Sequence, residues 1–296
     1  MNQYAIIGPT ASGKSDLAIE VAKKSNAYIL SIDSLSIYKE IDIVSAKPSP
    51  AELQSIKHFG IDELYPNEYF SVDIFIQLYQ NVKEQCEKDS KNLIIVGGTS
   101  FYLKSLIEGL SVLPKIDEKI SEVVKNKLLD LSKCYEFLQK KDPEYMKKIA
   151  SNDRYRIEKV LLIYEASKMT PSEWFHKNPP RSIIQDIDIF NIDVQRDVLR
   201  QRINTRTSKM LETGLIDEVC YLEQKYTRSP HAMASIGIVE VLEYLDGKVT
   251  KEQMTQNIAT HTAQLAKRQQ TFNRTQFKEV THAPLEKLET LILKTL

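Results

Sequence analysis

Eight residues near the amino end, Gly8-Pro9-Thr10-Ala11-Ser12-Gly13-Lys14-Ser15, have the types and spacing needed to grip phosphate. They match GxxxxGK[ST], in which glycines let the backbone wrap so that successive N–H groups point at phosphate oxygens. Lys14 supplies a point charge to the outermost phosphate, and the Ser15 hydroxyl is the type of group that ligates Mg²⁺. The pattern identifies a phosphate without saying which compound carries it. Two further short segments have chemical potential. Asp33-Ser34 offers a carboxylate that suits either a metal ligand or a general base, and equally a helix cap or turn. Gly97-Gly98-Thr99 offers a hydroxyl, though Thr99 taken alone is a turn threonine; the acidic metal ligand that often follows such a strand in nucleotide hydrolases is missing.

These segments need a scaffold, and the apolar pattern provides one. Residues 4–7 form a short apolar run ending in Gly8-Pro9, which predicts a buried strand feeding the phosphate loop. Leu17, Ala18, Val21 and Ala22 then recur at helical spacing. Residues 27–32 predict a second strand, 71–88 a helix, 93–96 a third strand and 101–110 another helix. Strands alternating with helices imply a parallel sheet covered on both faces, with ligands at the carboxyl ends of the strands. From about 114 to 180 the periodicity is helical, with breaks at Pro143, Pro171 and Pro179-Pro180. Residues 183–194 alternate like a strand returning to the sheet, and the remainder is helical. The expected fold class is therefore α/β: a P-loop NTPase-like parallel sheet with helices on both faces and an inserted all-helical domain. The core is expected over 1–113 and 183–296, and the insertion over 114–182. In the long segment 251–276, Met254, Ile258, Leu265 and Phe272 are expected to share a buried stripe. Gln264, Lys267, Arg268, Thr271 and Arg274 fall on a polar one.

The bulk composition narrows the setting. The 296 residues are 42% hydrophobic and 27% charged, as in ordinary globular proteins, with 40 basic and 40 acidic residues. No apolar run approaches the roughly 18 residues of a membrane span, and the N-terminus lacks the basic start of a signal peptide. Cys86, Cys134 and Cys220 are widely separated and read as reduced packing residues of a cytoplasmic protein; the five scattered histidines suggest no zinc site. Zero net charge does not exclude nucleic acid, because local patches decide. Arg196, Arg200, Arg202, Arg206 and Lys209 crowd against a single acid, Asp197, while Lys267, Arg268 and Arg274 have none nearby. Each patch also reads as a solvated helix face. No long exposed apolar heptad argues against a monomer.

Taken together, the motifs resemble the tRNA dimethylallyltransferase (isopentenyl-tRNA transferase) family nearly end to end. The resemblance rests on GPTASGKS at 8–15, DS…Y at Asp33, Ser34 and Tyr38, DI..AKP at 42–48 and IIVGGTxxYL at 94–103. It continues through ND..RI at 152–157, the arginine-spaced segment ending in GLIDEV, SIG..E at 235–240 and AKRQxTF.R at 266–274. The resemblance implies transfer of a dimethylallyl group from dimethylallyl diphosphate to the exocyclic N6 amine of the adenosine 3′ of the anticodon in tRNA. It implies Mg²⁺ as cofactor, with Ser15 a ligand, and Lys14, Asp33 and Thr99 as catalytic residues. Asp33 would be the general base, with Thr99 hydrogen-bonding it or the amine. The tRNA would meet Asp33, Ser34, Leu35, Ser36, Thr99, Asn152, Asp153, Arg156, Arg202, Arg206, Lys267, Arg268, Gln269, Thr271 and Arg274, with the insertion holding the anticodon stem-loop and the target base extruded.

Some positions depart from the family's pattern. Ser36 stands where a glutamine is expected, and Val44-Ser45 replaces Gly-Thr. Ala234 replaces a polar or basic residue, and Ile238-Val239-Glu240 replaces a Tyr-containing run. Three other readings share the phosphate loop: an isopentenyltransferase for free adenine nucleotides, a small-molecule kinase with the 196–206 arginines as its lid, and a non-catalytic RNA-binding ATP switch.

Overall fold

A computed structural model describes residues 1–295. The chain divides into two compact units, 1–105 with 184–296 and 106–183, so the break comes earlier than residue 114.

The first unit begins with β1 (Gln3–Ile7), α1 (Lys14–Lys24), β2 (Ala27–Ser31), α2 (Pro50–Ser55), β3 (His58–Phe59), α3 (Val72–Lys88), β4 (Asn92–Gly97) and the start of α4 (Ser100–Glu108). The second unit holds α5 (Glu118–Lys127), α6 (Leu131–Lys141), α7 (Pro143–Met146), α8 (Arg154–Ser167) and α9 (Pro171–Lys177), with no strand among its described residues. The first unit resumes with β5 (Asp188–Ile192), α10 (Arg196–Glu212), α11 (Leu215–Tyr226), a short 3₁₀ turn, α12 (Ile238–Leu245), α13 (Lys251–Gln276), β6 (Thr281–Ala283) and α14 (Leu285–Lys294).

The six strands pair in parallel in the order β3-β2-β4-β1-β5-β6. Alternate residues serve opposite faces. Tyr4, Ile6, Ile29, Ile94, Val96, Phe190 and Ile192 pack with Leu17, Ala18 and Val21 of α1 and with Leu288 and Ile292 of α14. Their neighbours Ala5, Ile7, Leu30, Leu93 and Ile95 are fully buried on the other side. Both faces are thus covered, as near-continuous apolar strands require. Register brings the strand ends together: Ile7 lies opposite Gly97 and Asn191, and Ser31 opposite Val96. The segments after β1, β2 and β4 therefore emerge side by side at the carboxyl edge of the sheet.

The second unit has its own core, including Val124, Leu128, Leu138, Met146, Ile157, Val160 and Leu161. Its helices start on side-chain caps: Asp117, Asp130, Asp142, Asp153 and Thr170 each accept a backbone N–H two or three residues into the helix.

Four sequence expectations need correction. The returning strand is shorter than 183–194. The stretch after 194 is not wholly helical, because β6 closes the sheet edge. Cys220 is exposed rather than packed. The buried stripe of α13 runs through Met254, Ile258, Ala259, Ala266 and Asn273, while Leu265 and Phe272 are only partly buried. Asn273 belongs to the core because its amide donates to Asn191 Oδ1 at 2.9 Å, a partner the pattern of apolar residues does not reveal.

Candidate active site

The phosphate loop joins β1 to α1. Its turn uses left-handed backbone at Ala11 (φ 61°) and at Gly13 (φ 92°), the residue preceding α1. At Gly13 a β-carbon would also lie 2.9 Å from Leu285 Cδ2, so glycine serves both conformation and space. The first bond of the α1 ladder runs from Leu17 N–H to the Gly13 carbonyl at 3.2 Å. The amides of Lys14, Ser15 and Asp16 precede it and are left for an anion, at the positive end of the helix dipole. Lys14 donates to the Pro9 carbonyl at 2.9 Å. Burial pulls its pKa down to about 8, opposed by the Asp33 charge and reinforced by Arg206.

The turn after β2 is an Asx turn. Asp33 Oδ1 accepts the N–H groups of Leu35 at 2.9 Å and Ser36 at 3.4 Å. Asp33 Oδ2 has no hydrogen-bond partner among the described residues, so the carboxylate is oriented through one oxygen and available through the other. Of the two partners expected for Thr99, Asp33 or the amine, it does not bond Asp33; its Oγ1 accepts Ser34 N–H at 3.3 Å and lies 3.4 Å from Ser34 Oγ. Ser36 is buried, 3.0 Å from Ser31 Oγ. Leu35 packs against the apolar cluster of α11 and α12.

Two of the expected RNA-binding arginines contact the phosphate loop. Arg202 and Arg206 occupy one face of α10 and turn toward the phosphate loop. Arg202 donates to the Ser12 carbonyl at 3.2 Å, and Arg206 donates to Thr10 Oγ1 and the Ser45 carbonyl, both at 3.4 Å. Burial lowers the Arg206 pKa, with Asp33 opposing. Lys47 has a different role: its side chain is 5% exposed, and it donates to the Tyr38 carbonyl at 2.7 Å and to Asp42 and Asp62 at 2.6 Å each. An ammonium has three N–H donors, so Lys47 has none left for phosphate.

These groups line two adjoining spaces. A cavity of about 80 Å³ is lined by Thr10, Lys14, Ser15, Asp33, Ser36 and Arg206, among others. A larger cleft of about 990 Å³ shares Lys14, Ser15, Lys47 and Arg206 with it and extends past Gly13, Arg202 and Met210. No group of three or more His, Cys, Asp or Glu side chains suited to a metal occurs among the described residues.

The remaining expected RNA contacts divide between the two units. On α13, Lys267, Arg268, Thr271 and Arg274 are exposed. Gln269 instead turns inward: its Oε1 accepts Thr10 N–H at 2.8 Å, and its amide sits so close over Gly98 that a β-carbon there would lie 2.3 Å from Nε2. In the second unit, Asp153 caps α8 by accepting Arg156 N–H at 3.1 Å and pairs with the Arg156 guanidinium at 3.1 Å, while Asn152 is exposed beside them.

Comparison with known proteins gives this arrangement a context. The family model for IPP transferase matches residues 36–276. A tRNA dimethylallyltransferase of Sulfurimonas denitrificans is 68% identical over 296 residues, spanning 100% of both chains. The chain belongs to the IPP transferase family. Among solved structures, a tRNA isopentenylpyrophosphate transferase from Staphylococcus epidermidis is 31% identical with a TM-score of 0.71, covering 100% of each chain. A eukaryotic dimethylallyltransferase acting on tRNA is 26% identical with a TM-score of 0.85, covering 96% of this chain and 74% of the other.

In this IPP transferase, sequence reasoning missed three things. It set Arg206 near phosphate only in the kinase alternative, as part of a lid, although the four-residue spacing of Arg202 and Arg206 puts both on one helical face. It expected Gln269 at RNA and did not foresee its bond to the loop backbone. It also drew no distinction between Lys14, which retains free N–H groups, and Lys47, which does not.

Proposed function

We propose that this chain transfers the dimethylallyl group of dimethylallyl diphosphate to the N6 amine of the adenosine 3′ of the anticodon in tRNA, giving N6-isopentenyladenosine. The observation that carries the proposal is that the phosphate loop, two half-buried cations and Asp33 line one cavity. The names of the relatives supply the substrate class.

The reaction breaks the allylic C–O bond and forms a C–N bond. The departing diphosphate takes the electron pair. Lys14, Arg206 and the amides of Lys14, Ser15 and Asp16 neutralise that charge where it develops. Because these donors are fixed by the fold, little reorganisation is needed as the bond breaks. Adenine N6 is a weak nucleophile, since its lone pair is delocalised into the ring. Asp33, held through Oδ1, accepts the amine proton on Oδ2 as attack proceeds. Thr99 stabilises the turn through Ser34.

Mg²⁺ fits this donor set. The ion prefers one or two protein ligands with the rest from water and phosphate, and Ser15 supplies one hydroxyl facing both the cavity and the cleft. When bound it would further neutralise the diphosphate. The positive charge in the pocket comes from Lys14 and Arg206, so it does not depend on a basic side chain at Ala234. Lys267, Arg268, Thr271 and Arg274, with Asn152 and Arg156 of the helical unit, are proposed to meet tRNA. That substrate implies a cytoplasmic enzyme, and we propose that it acts as a monomer. Among the described residues no helix is long and apolar enough to cross a membrane.

Purified protein with Mg²⁺, unmodified tRNA and dimethylallyl diphosphate is expected to yield isopentenyladenosine on RNA digestion and mass spectrometry. Product on AMP or ATP instead would point to a free-nucleotide acceptor. ATP turnover without prenylation would overturn the proposal.

A further inference from the structure

The wall of the phosphate site has an anchor of its own. Residues 42–48 have no regular structure, and Ala46 adopts a left-handed conformation (φ 48°). This segment nevertheless lines both spaces: Ser45, Ala46, Lys47 and Pro48 face the small cavity, and Asp42 and Ile43 face the cleft. It also provides the Ser45 carbonyl that receives Arg206 at 3.4 Å. One side chain distant in sequence fixes it. Glu218 on α11 accepts the N–H groups of Asp42 at 3.0 Å and Ile43 at 2.7 Å through Oε2, and that of Val44 at 2.9 Å through Oε1. Three charge-assisted bonds to consecutive amides set the path of the backbone immediately before Ser45, and such bonds are roughly twice as strong as neutral ones.

We propose that Glu218 is a positioning residue for diphosphate binding: it holds the 42–44 backbone so that the Ser45 carbonyl orients Arg206 against the phosphate loop. Glu218 touches neither substrate; it acts through the loop and then through Arg206. The inference rests on the prenyl-transfer reading and adds a donor-specific role to it. Packing alone does not account for the geometry. An apolar contact would hold the segment loosely in any register, whereas two carboxylate oxygens divided over three successive amides select one.

The test uses the full chain and the variant E218Q, which keeps size but presents an NH₂ group where an acceptor is needed. Donor KM is expected to rise about ten-fold, while tRNA KM and kcat change less than about two-fold, because only the cation facing the diphosphate is displaced. In an R206M background, E218Q is expected to raise donor KM by less than about two-fold, the signature of two residues acting as one unit. Thermal melting checks folding. If E218Q does not fold, E218D, which keeps the charge and shortens the reach, takes its place in the same cycle. Unchanged donor KM, an equal rise in both KM values, or an undiminished effect beside R206M would overturn the inference. A wild-type protein that transfers nothing to tRNA would instead overturn the reading on which it rests.

Discussion

The phosphate site and the polar stripe of α13 both present cations, and they hold them in opposite ways. Lys14 and Arg206 are half-buried, and each already donates to the loop it serves. Lys267, Arg268 and Arg274 are exposed and form no ion pair among the described residues. The first arrangement bears the cost of desolvation in advance and gains fixed geometry, which suits charge developing on one departing group. The second keeps its cations hydrated and mobile, which suits a flexible polyanion whose binding is dominated by counterion release. The two kinds of site should therefore fail differently when altered: sharply and specifically in one, gradually and with salt dependence in the other.

The largest effect is expected at Lys14. Lys14→Met should lower kcat/KM for the diphosphate donor by about 10²–10³-fold, as loss of a preorganised transition-state donor does. Steady-state kinetics at saturating tRNA measure it, and a loss confined to tRNA KM would break the comparison.

Arg206→Met should raise donor KM by about 10- to 100-fold, the range for a buried charge-assisted contact, with tRNA KM little changed. The opposite pattern would return Arg206 to the RNA surface where the sequence resemblance puts it.

The pH dependence sharpens the same contrast. Lys14 in the free protein has its pKa pulled down to about 8 by burial. Its charged form, the one proposed to bind diphosphate, is present below that value and is lost as pH rises through it. Bound diphosphate stabilises the charged form, so donor KM should climb by up to ten-fold per unit above pH 8 while kcat holds. The tRNA KM should show no such break, since Lys14 faces the phosphate loop rather than the α13 surface.

The smallest effects belong to the stripe. Alanine at Lys267, Arg268 or Arg274 should each weaken tRNA binding only a few-fold and reduce the slope of log K against log salt by about 0.7–0.9. Filter binding across a salt series measures this. A single stripe residue costing as much as Lys14 would show that the two regions are not built differently.

How much of this was legible in the sequence follows from how far apart the cooperating residues are. The phosphate loop was readable because strand, turn and helix are contiguous, and the same holds for the turn at Asp33. The parallel core was readable because its strands are apolar runs bounded by turn signals. Short edge strands such as Thr281–Ala283 carry too few residues to show a period. Asn273 reads as polar surface until Asn191 is placed beside it. Glu218, Gln269 and Arg206 act on segments 161 or more positions away, and nothing in their own neighbourhoods announces which loop each will meet. Conversely, Asp153, expected at RNA, caps its own helix, a role that local spacing alone specifies.

The most direct test of the central claim, that one cavity both receives diphosphate and removes the amine proton, is to compare Asp33→Asn with wild type in two assays. The variant keeps the Oδ1 acceptor that orients the turn and loses the base. Binding of inorganic diphosphate, measured by calorimetry, should be no weaker than in the wild type, because a negative charge has left the cavity. Single-turnover transfer to tRNA should fall by about 10²–10⁴-fold, the usual contribution of a general base. Transfer retained at the wild-type rate would contradict the account.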